Sequence, residues 1–193
     1  MAKLEIPVII AMKGHPGCGK STLAHSIASS LQITLLDKDD IKNCTIPLQL
    51  TSPATLLNDL SYHAIWNIAS TQLGLGLSVI LDSPLSHRSH LDHLVRLTAS
   101  ASARLVVIEC KPSDHDEWRR RLERRGGGGG HKPATWLEME KLLEEYGGCT
   151  EYDVGDVPKM VADTTAFSLE QLCSAALEFI FNYAAPNLIP SNN

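Results

Sequence analysis

Apolar residues along this chain fall into two alternating spacings. Short, nearly continuous runs, IPVIIAM (6–12), QITLLD (32–37), LSVILD (77–82) and ARLVVIEC (103–110), suit strands buried on both faces. PKMVADTT (158–165) holds a weaker fifth strand. Between the runs the apolar period lengthens to that of a helix. Leu23, Ala24, Ile27, Ala28 and Leu31 mark one over residues 20–31. Further helices are expected from Pro53, which suits a first turn, to Leu73, and over 87–101, 113–125 and 168–184. The helix at 113–125 begins acidic and ends basic, an order that favours the helix dipole at both ends. Strand and helix alternating at this spacing imply right-handed crossovers and a parallel sheet covered on both faces. With no internal repeat and no linker, residues 1–193 read as one α/β domain.

The first strand runs into GHPGCGKST, which fits G-x-x-x-x-G-K-[ST] between a strand and a helix. Gly14, Gly17 and Gly19 let the backbone turn its N–H groups inward. His15, Pro16 and Cys18 complete the loop, with Cys18 expected to face away from the ligand. The helix that starts near Lys20 adds the positive end of its dipole. In such a cradle Lys20 reaches the β- and γ-phosphates, Ser21 ligates Mg²⁺ and Thr22 borders the site. The expected ligands are therefore a nucleoside triphosphate, taken as ATP, and Mg²⁺.

Acids close the next two strands. Asp39, in LDKDDIK, is the expected general base toward a substrate hydroxyl, while Asp37 and Asp40 suit caps of the helix that follows. Asp82 ends four apolar residues in VILDSP, where a carboxylate can approach the magnesium. Together, GHPGCGKST, LDKDDIK and GLSVILDSP resemble the compact kinase branch of P-loop proteins, the AAA_33 and zeta-toxin-like group. Its members include the polynucleotide kinase domain, gluconate kinase, adenylylsulfate kinase and chloramphenicol phosphotransferase. The resemblance implies a three-layer P-loop NTPase fold with a five-stranded sheet in the order 2-3-1-4-5 and a mobile lid. It places the base at Asp39 and an anionic substrate contact at Lys42. There lysine replaces the family's arginine and cannot make its two-pronged contact.

Five arginines crowd WRRRLERR, just before five consecutive glycines. In the family this position leads into the lid, whose arginines neutralise charge on the transferring phosphoryl group. Arg121 and Arg125 are candidate catalytic residues and Arg124 a nucleotide contact, within an expected lid at about 119–133. Arg119 and Arg120 are weaker candidates, because successive positions on a helix cannot all face one pocket.

On the acceptor side, Tyr62, His87 and Arg88 are the chosen contacts, with His63, Trp66 and Ser83 as further lining candidates. Trp66 fits a core better than a pocket. Near the fifth strand, Asp163 and Thr164 are placed by the resemblance close to the adenine.

Net charge narrows the reading. At −5 the chain is not a general nucleic-acid or membrane binder, so the expected partner is a small-molecule substrate. Five scattered cysteines suit reduced thiols, and no signal or spanning segment is evident, which together suggest a cytoplasmic protein. No guanine-recognition N/T-K-x-D stretch is present. The leading reading is an ATP-dependent kinase acting on a hydroxyl of a small metabolite or nucleoside-like acceptor. Its alternatives are a 5′-hydroxyl polynucleotide kinase and a non-catalytic ATP-binding switch. The oligomeric state stays open, since the apolar stretch LEFIFNYAAPNLI suits either a core helix or an interface.

Overall fold

The computed structural model describes residues 4–126 and 132–184. Five strands, β1 (Val8–Lys13), β2 (Thr34–Asp37), β3 (Val79–Asp82), β4 (Arg104–Cys110) and β5 (Lys159–Ala162), form one parallel sheet in the order β2-β3-β1-β4-β5. Among the described residues seven α-helices surround it, with a short 3₁₀ turn at Ile46–Leu48: α1 (Lys20–Leu31), α2 (Lys38–Cys44), α3 (Ala54–Gly74), α4 (Arg88–Ser100), α5 (His115–Arg125), α6 (Trp136–Tyr146) and α7 (Leu169–Ala184). The expected order and layering are those observed. Each expected strand is present but shorter at its start, because the leading residues lie outside the ladder.

Alternation along the strands divides the core in two. Val8, Ile10 and Met12 of β1 join Ile80, Val106 and Ile108 beneath α1 and α7. Ile9 and Ala11 join Val79, Leu81, Leu105 and Val107 beneath α3 and α4, where Trp66 also lies buried. Helix α7 buries Leu172, Ala176 and Ile180 in the first layer, so its apolar stripe serves the core. Register sets the functional edge. Met12 and Asp37 both lie opposite Asp82, so β2 and β3 end level and β1 runs one residue further.

One helix, α6, had not been anticipated. Helix α2 is the expected helix after β2, and Asp37 caps it, its side chain accepting from the Asp39 amide at 2.8 Å. Helix α6 opens on a reciprocal capping box between Thr135 and Glu138 and ends at Gly147 in the left-handed region. Its Met139 packs with Trp118 and Leu122 of α5 in a third, smaller cluster. Of the expected lid at 119–133, residues 127–131 lie outside the described residues, and the rest belongs to α5 and the approach to α6.

The phosphate-loop turn leaves no room for side chains at its start. A Cβ on Gly14, at φ +142°, would sit 2.7 Å from the Cys110 carbonyl oxygen and from the Cys18 sulfur. Gly14→Ala is therefore expected to destabilise the fold by about 1–3 kcal/mol, a cost a thermal or urea melt would register. An unchanged melting curve would mean that the turn is not held as described.

Candidate nucleotide and acceptor site

A cleft of about 1230 Å³ runs along the C-terminal edge of the sheet. Its lining extends from Phe167, Leu169 and Leu172, beside β5, across the phosphate loop to Asp39, Tyr62 and His90, beside β2. The loop lies between. Helix α1 begins after Gly19, whose φ of +85° only glycine adopts easily and which offers no side-chain cap. The unpaired amides of a helix start are thus left to an incoming anion.

Lys20 reaches back from α1 to the end of β3, where its Nζ lies 3.1 Å from Asp82 Oδ1. Burial alone would lower the ammonium's pKa. The Asp82 charge, aided by Cys18 and Asp39, raises it above the usual lysine value instead. Asp82 is 2% exposed, and neither of its oxygens meets hydrogen-bond geometry with a partner in the described chain. A buried carboxylate left this way fits a hydrated cation beyond Lys20. Ser21 lines the cleft on the adjoining turn. Among the described residues no group of three or more His, Cys, Asp and Glu could hold a metal by themselves.

Cys18 faces inward. It is 1% exposed, and its thiol pKa is lowered, first by the Cys110 thiol and then by Lys20. Thr164 closes the back of the loop by donating from Oγ1 to the Cys18 carbonyl at 2.7 Å. Asp163 points away, accepting from the amides of Ser113, Thr165 and Ala166, so its side chain fixes the turn after β5 and does not enter the cleft.

Helix α5 is tied to the loop by Trp118, whose Nε1 donates to the Pro16 carbonyl at 2.9 Å. This presents Arg121, Arg124 and Arg125, three and four residues apart, to the cleft. Arg121 is held twice, by Glu117 Oε1 and by the Thr164 carbonyl, each at 2.8 Å. Arg119 and Arg120 turn outward to Glu123 and Glu117.

At the other end, Asp39 carries an ammonium on each oxygen. Lys38 Nζ lies 3.5 Å from Oδ1, and Lys132 Nζ lies 2.6 Å from Oδ2. Lys132 had been placed only within the expected lid at about 119–133, with no role assigned. Lys42, His15, Pro16, Gly17 and Thr22 also line the cleft. So do Tyr62 and His87, whereas His63, Trp66 and Ser83 do not.

Arg88 is a correction. It is exposed, and its side chain bonds Asp92 at 2.8 Å, one helical turn along α4, and the Asp153 carbonyl. That local acid and carbonyl draw the guanidinium away from the acceptor end. The residue that enters in its neighbourhood is His90, whose ring lies 4.0 Å from that of Tyr62. Burial, with smaller effects from His87, Lys38 and His93, lowers its pKa to about 4, against a weak opposing pull from Asp59. His90 Nδ1 is buried with no hydrogen-bond partner in the described chain.

The fold and the loop define a class, the phosphate-loop nucleotide-binding α/β proteins with the sheet order of small P-loop kinases. The chain belongs to the AAA domain family, whose model matches residues 9–146. In structure it is similar to a gluconokinase from Sinorhizobium meliloti 1021, with a TM-score of 0.65 at 20% identity over 93% of this chain and 94% of that one. A sugar kinase from Janibacter sp. HTCC2649 gives a TM-score of 0.64 at 19% identity over 94% and 99%. The Mycobacterium tuberculosis APS kinase in complex with AMPPNP and APS gives 0.60 at 16% over 91% and 98%. At these identities the likeness is one of fold. A comparison with curated proteins finds no match. No helix among the described residues is long and apolar enough to cross a membrane.

His90 generates a pH dependence of stability. Its folded pKa, about 4, lies below the ordinary histidine value of 6.5, so the unfolded chain takes up the proton first as pH falls. Its contribution is complete above the unfolded value and is lost between there and the folded one. Thermal melts from about pH 7 down to about pH 4.5 should show a falling Tm whose slope is reduced in His90→Gln. Equal slopes in both proteins would contradict the assignment.

Proposed function

We propose that the protein is an ATP- and Mg²⁺-dependent phosphotransferase that moves the γ-phosphoryl group to a hydroxyl of a small-molecule acceptor. One observation carries the reading. The uncapped start of α1, Lys20 and the Asp39 carboxylate all line one cleft, and Lys20 is paired there with the buried Asp82 behind it. In this reading the phosphates lie on the amides from Gly17 to Thr22, with Lys20 against the β- and γ-phosphates. Phe167 and Leu169, both exposed on the β5 side, offer apolar surface to the base. Mg²⁺, held through Ser21 and the Asp82 side, would offset charge on the β- and γ-oxygens.

Asp39 orients the acceptor hydroxyl and takes its proton as the new oxygen–phosphorus bond forms. Arg121, Arg124 and Arg125 face the transferring group and stabilise negative charge on its oxygens, which is what fixed guanidinium groups in a cleft do well. Lys42, Tyr62, His87 and His90 wall the acceptor end. Residues 1–193 act as one domain, in the reduced environment that five free cysteines suit.

The test is transfer of labelled γ-phosphate from ATP–Mg²⁺ into a metabolite and nucleoside extract, with products followed by mass. Wild type should label a small molecule, and Asp39→Asn should lower the rate by about 10²–10⁴-fold. Label on the 5′ ends of RNA or DNA instead would move the protein to the polynucleotide-kinase alternative. ATP binding without any labelled product would make it a switch.

A further inference from the structure

The arginine side of the cleft also holds a carboxylate. Glu117, in the first turn of α5, lines it together with Arg121, Arg124 and Arg125. The hydrogen bond from Arg121 holds its carboxyl below the usual carboxylate range, so at neutral pH it is charged. A fixed negative charge at this place should repel phosphate. Two local reasons favour a glutamate here: an acid in the first turn suits the helix dipole, and Arg121 stands one turn on. Neither explains why the pair lies in the cleft. Its contacts do. Arg121 donates from Nε to Glu117 Oε1 and from Nη1 to the Thr164 carbonyl, each at 2.8 Å. The two acceptors belong to different elements, and each element is anchored on the phosphate loop. Trp118, next to Glu117, donates to the Pro16 carbonyl at 2.9 Å, and Thr164 Oγ1 donates to the Cys18 carbonyl at 2.7 Å. Leu122 presses on the same loop, since a Cβ on Gly17 would sit 2.9 Å from its Cδ1. The other oxygen of Glu117 is braced by Arg120 at 3.1 Å.

Resting on the nucleotide-binding part of the reading above, we infer that Glu117 is a positioning residue for the nucleotide: it acts through Arg121, holding that guanidinium against the Thr164 carbonyl with its remaining donors turned to the phosphates. Of the five donors of Arg121, two are taken by these protein acceptors, and Nη2 with the second Nη1 hydrogen is left for a ligand. An unrestrained arginine loses rotamer freedom when it meets a phosphate. One held at Nε and Nη1 has lost most of it in folding, so its contact binds more tightly. That gain outweighs the repulsion of a carboxylate whose charge is shared by two guanidiniums. Arg125, by contrast, reaches only the Pro133 carbonyl, at 3.5 Å, among the described residues. The role of Glu117 depends on reach rather than on charge. Aspartate, one methylene shorter, keeps the charge but falls short of Nε. Glutamine keeps the reach and an accepting oxygen without the charge.

Calorimetric titration of a non-hydrolysable ATP analogue with Mg²⁺ tests this without any acceptor. Arg121→Ala should weaken binding by about tenfold or more, and Glu117→Ala by about three- to tenfold. In the Arg121→Ala background, Glu117→Ala should cost nothing further. Glu117→Gln should retain most of the affinity, whereas Glu117→Asp should lose about as much as Glu117→Ala. Tighter or unchanged binding in Glu117→Ala would mean that the carboxylate acts only by its charge, and overturns the inference. So does a full loss from Glu117→Ala on top of Arg121→Ala, or the opposite order of the glutamine and aspartate variants. If Glu117→Ala does not fold, that order decides alone. Wild type that binds no nucleotide would bring down the phosphotransfer reading and this inference together. Tight binding without transfer would end the phosphotransfer reading and leave the inference standing.

Discussion

The ion pair between Lys20 and Asp82 is the constraint on which the site depends. It joins the first turn of α1 to the end of β3 across the mouth of the phosphate loop. Both partners are largely withdrawn from water, so neither charge is tolerable without the other. Removing one partner of such a pair typically costs about 3–5 kcal/mol, because the survivor is left buried and unpaired. Yet the pair is incomplete on the carboxylate side, where neither oxygen meets hydrogen-bond geometry. A structural salt bridge would be expected to satisfy those oxygens with further donors. This one leaves them, among the described residues, with the Lys20 ammonium alone, on the residue that lines the cleft.

Neighbouring elements serve the same point. Trp118 ties α5 to Pro16, so the loop and the arginine-bearing helix are fixed to each other by one indole N–H. Thr164 ties the end of β5 to Cys18 and, through its carbonyl, to Arg121. The loop is thus gripped from both sides by groups that also carry charge to the cleft. On the acid side, level strand ends bring Asp37 and Asp82 together, and burial with the charge of Asp82 raises the Asp37 pKa. Asp37 caps α2 while Asp39, two residues on, turns to the lysines.

How much of this was legible depended on the range of the interaction. Helix α1 matches its expected span, residues 20–31, because its apolar stripe and the glycines before it are local signals. The strand order followed from the resemblance carried by the three motif stretches. Helix α6 was missed although Thr135, Glu138 and Gly147 carry its caps, because its apolar residues pack mainly on α5 and make no long stripe of their own. Arg88 was misplaced for a related reason. Its nearest acid, Asp92, is local, but the Asp153 carbonyl that completes its binding is 65 residues away. Neither Lys132 against Asp39 nor the buried Lys13–Glu109 pair, joined by Lys159 at 3.1 Å, has a sequence signature. Both arise from tertiary placement, the second from adjacent strands β1, β4 and β5.

The central claim is that the oxygens of Asp82 await a cation that arrives with nucleotide. Calorimetric titration of a non-hydrolysable ATP analogue, with and without Mg²⁺, into wild type and Asp82→Asn tests it most directly. Wild type should bind about tenfold or more tightly with Mg²⁺, and Asp82→Asn should lose most of that gain while remaining folded. Equal affinity with and without the metal in wild type, or a full metal effect in Asp82→Asn, would contradict the account.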